Sequence, residues 1–274
     1  MPVGFGGRDV DRIADLVLDR LADDGHLLLL TDYDGTLAPI ASEPEAARLP
    51  EAVHADLLTL AGLPRVQFGV VSGRDLQNLR TLVAVPNAFY GGCYGLEIEG
   101  PGIRFVHPDA EAQVESLDAI SRELALRAPT VPGMRVEPKR FGLAVHYRHV
   151  PTDLMERVET ETARAIQRNG SRLKIFHGLQ VMEIQPQVGW TKGDCVLWIR
   201  DVVRRTSGDR LTVLYMGDDW TDEFAFDALA ADALTISVGN LVPASKAVHR
   251  VVNVTAAREL LATIAARAGT ENRK

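Results

Sequence analysis

Two aspartates separated by one residue, Asp32 and Asp34, follow directly on the most apolar run of the chain, in LLLLTDYDGTLAPI at 27–40. A buried strand does not end in paired carboxylates without a partner, because an unpaired charge away from water is costly. The same arrangement recurs further on. The apolar run RVQFGVV (65–71) ends in Ser72, Gly73 and Arg74, and LTVLYMG (211–217) ends in Asp218, Asp219 and Asp222. Lys192 stands just before a helical stretch at 193–204. Any one Asp or Ser of this set could be a helix cap. The set as a whole cannot, since four or more carboxylates in one crevice repel unless a cation neutralises them. A hard divalent ion with oxygen ligands fits, Mg²⁺ above all, because it keeps waters and shares its ligands with a phosphate.

The elements that must bring these groups together follow from hydrophobic periodicity. HLLLLT (26–31), 65–71 and NAFYGG (87–92) lack polar alternation and read as strands buried on both faces. LTVLYMG, LTISVG (234–239) and RVVNV (250–254) continue the series, with helices expected at 50–61, 193–204, 221–230 and 256–267. Strands alternating with helices predict a doubly wound, mostly parallel sheet. In such sheets ligands bind beyond the carboxyl ends of the strands, where these acids, Ser72 and Lys192 fall. The middle of the chain differs. Residues 105–186 read helix (110–127), strand (134–138), strand (142–148), helix (152–168), strand (172–177), strand (180–185). Its strands alternate apolar and polar residues, so one sheet face is solvated or faces a ligand. The expectation is an α/β core, 1–104 and 187–274, with an α+β open-faced insert at 105–186.

Composition excludes several function classes. The chain is 46% hydrophobic and 24% charged with net charge −7, which fits a globular fold and does not favour a nucleic-acid-binding surface. No apolar run reaches the ~20 residues that cross a bilayer. The start MPVGFGGRDVDR shows no leader pattern, so a cytoplasmic protein is expected. The two cysteines, Cys93 and Cys195, make no disulfide framework and lack metal-ligand spacing, and are read as core residues. The tail GTENRK (269–274) is expected to fray.

DYDGTL, VVSGR, a Lys at a helix start and MGDDWTDE, in that order, resemble the four motifs of the haloacid dehalogenase (HAD) phosphatase superfamily, with a Rossmann-like core. The insert between the second and third motifs resembles that superfamily's C2-type cap. Within it and beside it, GLEIEGPG, VEPKRFGLAVHYR and VMEIQPQVGWTKGD are similar to trehalose-6-phosphate phosphatases. The resemblance implies a nucleophile at Asp32 and a general acid/base at Asp34. It implies phosphate binding by Ser72 and Lys192. Mg²⁺ would be held by Asp32, Asp34 through its backbone carbonyl, and Asp218, with Asp219 or Asp222 as a further ligand or a support for Lys192. Such an enzyme would act on a small sugar phosphate as a monomer, coupled in function to a trehalose-6-phosphate synthase.

For the insert, the resemblance places Glu183 on sugar hydroxyls. Lys139 and Glu137 are the other expected substrate contacts, with Arg74 in the core; Arg74 could equally support its loop or lie at the surface. One segment departs from the family pattern. Where relatives read Gly-Ser-His-Gly-Leu-Glu or Gly-Asn-His-Gly-Leu-Glu, this chain reads GCYGLE at 92–97. The Tyr94 that stands in place of the His offers a hydroxyl and an aromatic face but no titratable nitrogen. Rival readings are a phosphatase of sucrose phosphate, of a mannosyl- or glucosyl-3-phosphoglycerate or of a pseudo-disaccharide phosphate, a phosphohexomutase, and a non-catalytic sugar-phosphate sensor. An intact Asp32–Asp34 pair argues against the last, since binding alone needs no nucleophile.

Overall fold

The computed structural model describes residues 7–22, 25–41, 47–169, 172–178, 180–208, 210–229 and 233–271. The chain divides into two compact units, 1–104 with 190–274, and 105–189.

The first unit is built on an eight-stranded sheet. In chain order its strands are β1 (His26–Thr31), β2 (Val66–Val71), β3 (Phe89–Gly92), β4 (Glu97–Gly100), β5 (Ile103–Val106), β10 (Leu211–Gly217), β11 (Leu234–Val238) and β12 (His249–Val251). Their spatial order is β12-β11-β10-β1-β2-β3-β4-β5. The pairs from β12 through β3 are parallel and β4 runs antiparallel to β3. β1 is central because it is the most apolar strand: Leu27 to Leu30 are all fully buried, each worth about 2 kcal/mol of burial. Successive side chains point to opposite faces. Leu27 and Leu29 join a core with α1 (Gly7–Ala22), α2 (Glu51–Ala61) and α9 (Val254–Glu271), whereas α7 (Lys192–Ser207) buries Cys195, Val196, Ile199 and Val203 elsewhere. Both cysteines are buried thiols.

The structure adds elements that the periodicity reading does not predict. α1 carries Val10, Ile13, Ala14, Val17 and Leu21 into the core. α3 (Leu76–Val83), capped by the Asp75 carboxylate on the Gln77 N–H, follows β2. β4 and β5 extend the sheet beyond the parallel part. The strand expected at 250–254 ends at Val251, because α9 already starts at Val254. Residues 269–271 of the expected frayed tail lie in α9, while 272–274 and the last residue of the helix expected at 221–230 fall outside the described residues.

The second unit is an open-faced sandwich. Four antiparallel strands, β6 (Arg135–Lys139), β7 (Gly142–His146), β8 (Leu173–Gly178) and β9 (Val181–Pro186), stand in the order β6-β7-β9-β8. Short α4 (Pro108–Glu111) precedes α5 (Val114–Arg127), and α6 (Met155–Asn169) lies between the hairpins. Leu143, Val145, Met182 and Ile184 pack with Leu117, Ile120, Leu124, Val158 and Ala165 of α5 and α6. The opposite sheet face therefore carries the alternate residues. Among the described residues no helix is long and apolar enough to cross a membrane.

Candidate active site

Register brings the acids together. Thr31 pairs with Met216 of β10 and with Val70 of β2, so the residues just past the three strand ends are neighbours. Asp32 continues the ladder, its N–H donating to the Met216 carbonyl at 2.8 Å. Asp218 lies beyond β10 and Ser72 beyond β2. Ligand atoms of Asp32, Asp218 and Asp222 lie within 4.8 Å of one another. Lys192, held in the first turn of α7 by a Thr191–Asp194 capping box, reaches in from the side. Its Nζ lies 2.8 Å from Asp222 Oδ1 and 3.2 Å from Asp32 Oδ1, and the side chain is 2% exposed.

Asp222, at the start of α8 (Asp222–Leu229), is an acceptor for four donors. Oδ1 accepts from Lys192 Nζ and, at 2.6 Å, from the Tyr215 hydroxyl. Oδ2 accepts from the backbone N–H groups of Asp218 (3.0 Å) and Asp219 (3.1 Å). Its oxygens are thus consumed inside the protein, which suits a support for Lys192 rather than a ligand. Asp219 accepts both the N–H and the hydroxyl of Thr221 on Oδ1. Asp218 accepts from the Thr36 hydroxyl at 3.3 Å. Gly35 has φ +79°, and a Cβ there would stand 2.1 Å from Asp218 Oδ2. Only glycine lets the 33–38 turn lie this close to the carboxylate.

Charge is unbalanced. Asp32, Asp218, Asp219 and Asp222 face one lysine. Burial pushes the Asp32 carboxyl well up; Lys192 pulls it back, while Asp222, Asp218 and Asp219 push it further. Asp218 is pushed up to about 7, first by burial and then by Asp222 and Asp219. Burial alone would lower Lys192, but Asp222, Asp32 and Asp219 outweigh it and hold the ammonium well above the lysine range. Two inward carboxylates with spare oxygens, a surplus of negative charge and a glycine turn pressed on one of them make a donor set that suits a hard divalent cation.

Asp34 and Arg74 pair with each other. Nε and Nη2 of Arg74 donate to the two Asp34 oxygens at 2.6 and 2.7 Å. Ser72 is buried, and its Oγ accepts from the Arg74 N–H at 3.2 Å. In the second unit, the register Ala144 to Glu137 and to Glu183 sets Glu137, Lys139, His146 and Glu183 on the face away from the helices. Lys139 Nζ donates to both Glu183 oxygens at 2.9 and 3.1 Å. His146 Nε2 lies 2.7 Å from Glu137 Oε2, and this hydrogen bond holds the Glu137 carboxyl below the usual range despite burial. Arg140 turns instead to Glu111, and Arg148, outside β7, to Gln180. The sequence reading does not single out Tyr215. Nothing in local spacing marks a strand tyrosine that meets an acid seven residues later.

Residues 30–258 match the family described as Trehalose-phosphatase. The chain belongs to the trehalose-phosphatase family. Curated relatives named trehalose-phosphate phosphatase include one from Mycobacterium avium, 38% identical over 205 residues (74% of this chain, 51% of the relative). Another, from Mycobacterium tuberculosis, is 36% identical over 208 residues (76% and 52%). The chain thus spans about half the length of the curated relatives it matches. Solved structures share the fold of this family member. A trehalose-6-phosphate phosphatase related protein superposes with TM-score 0.75 at 23% identity, covering 90% of this chain and all of that one. The C-terminal domain of the C. albicans trehalose-6-phosphate phosphatase gives 0.70 at 22% (92% and 96%). The C-terminal domain of a Candida albicans trehalose synthase regulatory protein gives 0.63 at 14% (92% and 97%). Since a domain named as regulatory has the same fold, function in this trehalose-phosphatase family member has to be argued from its site.

Proposed function

We propose that the chain is a Mg²⁺-dependent phosphatase that hydrolyses trehalose 6-phosphate to trehalose and phosphate. The observation that carries the reading is Asp32, buried at the end of the central strand beside Lys192, with Asp218 and Asp222 in reach. Two curated relatives at 36–38% identity bear the name trehalose-phosphate phosphatase, which supports this substrate.

Asp32 attacks phosphorus, and the bond from phosphorus to the sugar oxygen breaks with its electron pair moving to that oxygen. Asp34 gives the oxygen a proton as it leaves. Asp34 then takes a proton from water while the water oxygen attacks phosphorus, and cleavage of the bond to Asp32 restores its carboxylate. Ser72 and Lys192 hold the phosphoryl oxygens in both steps. Asp32, Asp218 and the Asp34 backbone carbonyl would hold Mg²⁺, which would supply the charge that lets a carboxylate approach a phosphate. Asp222 keeps Lys192 aimed at Asp32. Sugar selectivity resides on the polar sheet face of the second unit, where Glu183, Lys139 and Glu137 present half-buried polar groups to sugar hydroxyls.

The test is phosphate release from trehalose 6-phosphate, sucrose 6-phosphate, glucose 6-phosphate and a glucosyl-3-phosphoglycerate, with and without Mg²⁺. Trehalose 6-phosphate is expected to lead glucose 6-phosphate by at least ~100-fold in kcat/KM, and Glu183→Ala to erase most of that lead. Equal rates for the sugars would remove the substrate assignment. Activity after full chelation would remove the metal.

Metal binding should also show in stability. Asp218, at about 7 in the fold against an ordinary value of 3.8, binds a proton more tightly folded than unfolded. Its contribution to stability is therefore lost as pH rises from about 4 through 7. Mg²⁺ relieves the repulsion that remains above 7 and competes with a proton below it. The cation should accordingly raise the thermal midpoint more at pH 8 than at pH 6, and at a hundredfold excess over its Kd it should stabilise the fold by about 2.7 kcal/mol. A shift that is equal at both pH values, or absent, counts against Asp218 as a ligand.

A further inference from the structure

We infer that Arg74 is a positioning residue for proton transfer: its guanidinium fork fixes the orientation of the Asp34 carboxyl group, so that a proton carried on an oxygen lone pair the fork leaves free is the one passed to the leaving sugar oxygen. The inference rests on reading Asp34 as the acid/base.

The pair is asymmetric. Arg74 is the anchored partner, with its side chain 10% exposed, while the Asp34 side chain is 36% exposed. Four further contacts fix the arginine. Nη1 donates to Asn78 Oδ1 at 3.0 Å, one turn along α3. The guanidinium lies 5.2 Å from the ring centroid of Tyr33, itself buried and tied through its hydroxyl to the Ala47 carbonyl at 2.7 Å. The Arg74 N–H donates to Ser72 Oγ. Its carbonyl accepts from the Cys93 N–H at 2.7 Å. An aspartate this exposed would otherwise sample several staggered rotamers. Two parallel hydrogen bonds to a rigid planar fork select one of them, which a lysine cannot do.

A strained turn, held by hydrogen bonds, backs the anchor. Cys93, Tyr94 and Gly95 have φ of +48°, +61° and +88°, a left-handed run in which the first two residues carry side chains that disfavour it. The turn persists because Cys93 N–H donates to the Arg74 carbonyl and Tyr94 N–H to the Ser72 carbonyl at 2.8 Å. The Tyr94 ring lies so close to Gly73 that a Cβ there would stand 2.7 Å from its hydroxyl oxygen. The 93–95 turn thus clamps the loop that carries Arg74. Strain of this kind concentrates where a group must be held for function.

The readout is the leaving group. kcat/KM reports steps through departure of the alcohol, and only a poor leaving group needs a proton there. Arg74→Lys and Arg74→Gln should each lower kcat/KM for trehalose 6-phosphate by about 30-fold or more, within the ~10²–10⁴ that positioned acid catalysis supplies. For p-nitrophenyl phosphate the loss should stay under about threefold. In an Asp34→Asn background Arg74→Gln should add less than about threefold, because the fork then has no carboxylate to hold. Added guanidinium ion at millimolar concentration should partly rescue Arg74→Ala on the sugar substrate alone. Equal losses on both substrates, or losses that multiply with Asp34→Asn, would assign Arg74 to phosphate binding or to the fold and overturn the inference. If Asp34→Asn itself shows no dependence on the leaving group, the acid/base reading has failed first.

Discussion

Replacing Asp32 with asparagine is expected to lower turnover of every phosphate ester by more than about 10⁴-fold while the fold stays in place. An amide cannot attack phosphorus, and Asp222 cannot take over, since it is occupied by four donors. The fold tolerates the change for a local reason. Asparagine keeps an acceptor oxygen for Lys192, which also retains Asp222. The Asp32 N–H to the Met216 carbonyl is a backbone bond and is untouched. Burial and the three other aspartates all push the Asp32 carboxyl up, so its ionised form is a cost to the metal-free fold. The thermal midpoint of metal-free Asp32→Asn should therefore equal or exceed that of the parent, a gain in stability at the expense of activity. The check is phosphate release from trehalose 6-phosphate and from p-nitrophenyl phosphate, with the mass of the variant measured to exclude deamidation back to aspartate. Loss on both substrates separates Asp32 from Asp34, whose loss depends on the leaving group. Activity within a hundredfold of the parent would move the nucleophile elsewhere.

What could be read from the sequence is what local pattern dictates. An all-leucine strand has to be buried on both faces, and a parallel sheet has to present its strand ends on one side. Asp32, Ser72 and Asp218 could therefore be placed together before any coordinates. Alternation in the insert likewise puts Glu137, Lys139 and Glu183 on one face. α1 was equally legible, since Val10, Ile13, Val17 and Leu21 recur at helical spacing, yet it is not among the predicted elements. β4 and β5 have four residues each, too few to establish a period. Side-chain pairing is of a different kind. Arg74 and Asp34 are forty positions apart, and the four donors to Asp222 come from α7, from β10 and from the loop that joins β10 to α8. Such convergence is set by tertiary packing, and no spacing encodes it. For that reason the sequence leaves Asp222 open as ligand or support, while its hydrogen bonds favour support.

Asp222→Asn should accordingly be the most destabilising of the conservative changes at these acids, costing about 3 kcal/mol. The residue is fully buried, and each of its oxygens accepts two hydrogen bonds. An amide in the same place must turn its NH₂ toward one pair of donors. Toward the backbone N–H groups of Asp218 and Asp219 it meets two donors that cannot accept. Toward the other side, the Tyr215 hydroxyl can rotate and accept, but the Lys192 ammonium cannot. In either orientation Lys192 loses the anion that balances it most closely and is left with Asp32 at 3.2 Å. Turnover should fall 10- to 100-fold as well, roughly the scale seen when the support of a site residue is removed. Asp219→Asn is the matched control. Only one Asp219 oxygen takes the Thr221 N–H and hydroxyl, so the carbonyl of asparagine can serve both, and the change should cost under about 1 kcal/mol. Urea unfolding of the two variants, both metal-free, provides the comparison. Equal midpoints would show that the four-donor arrangement does not hold Lys192, and Asp222 would return to the set of metal ligands.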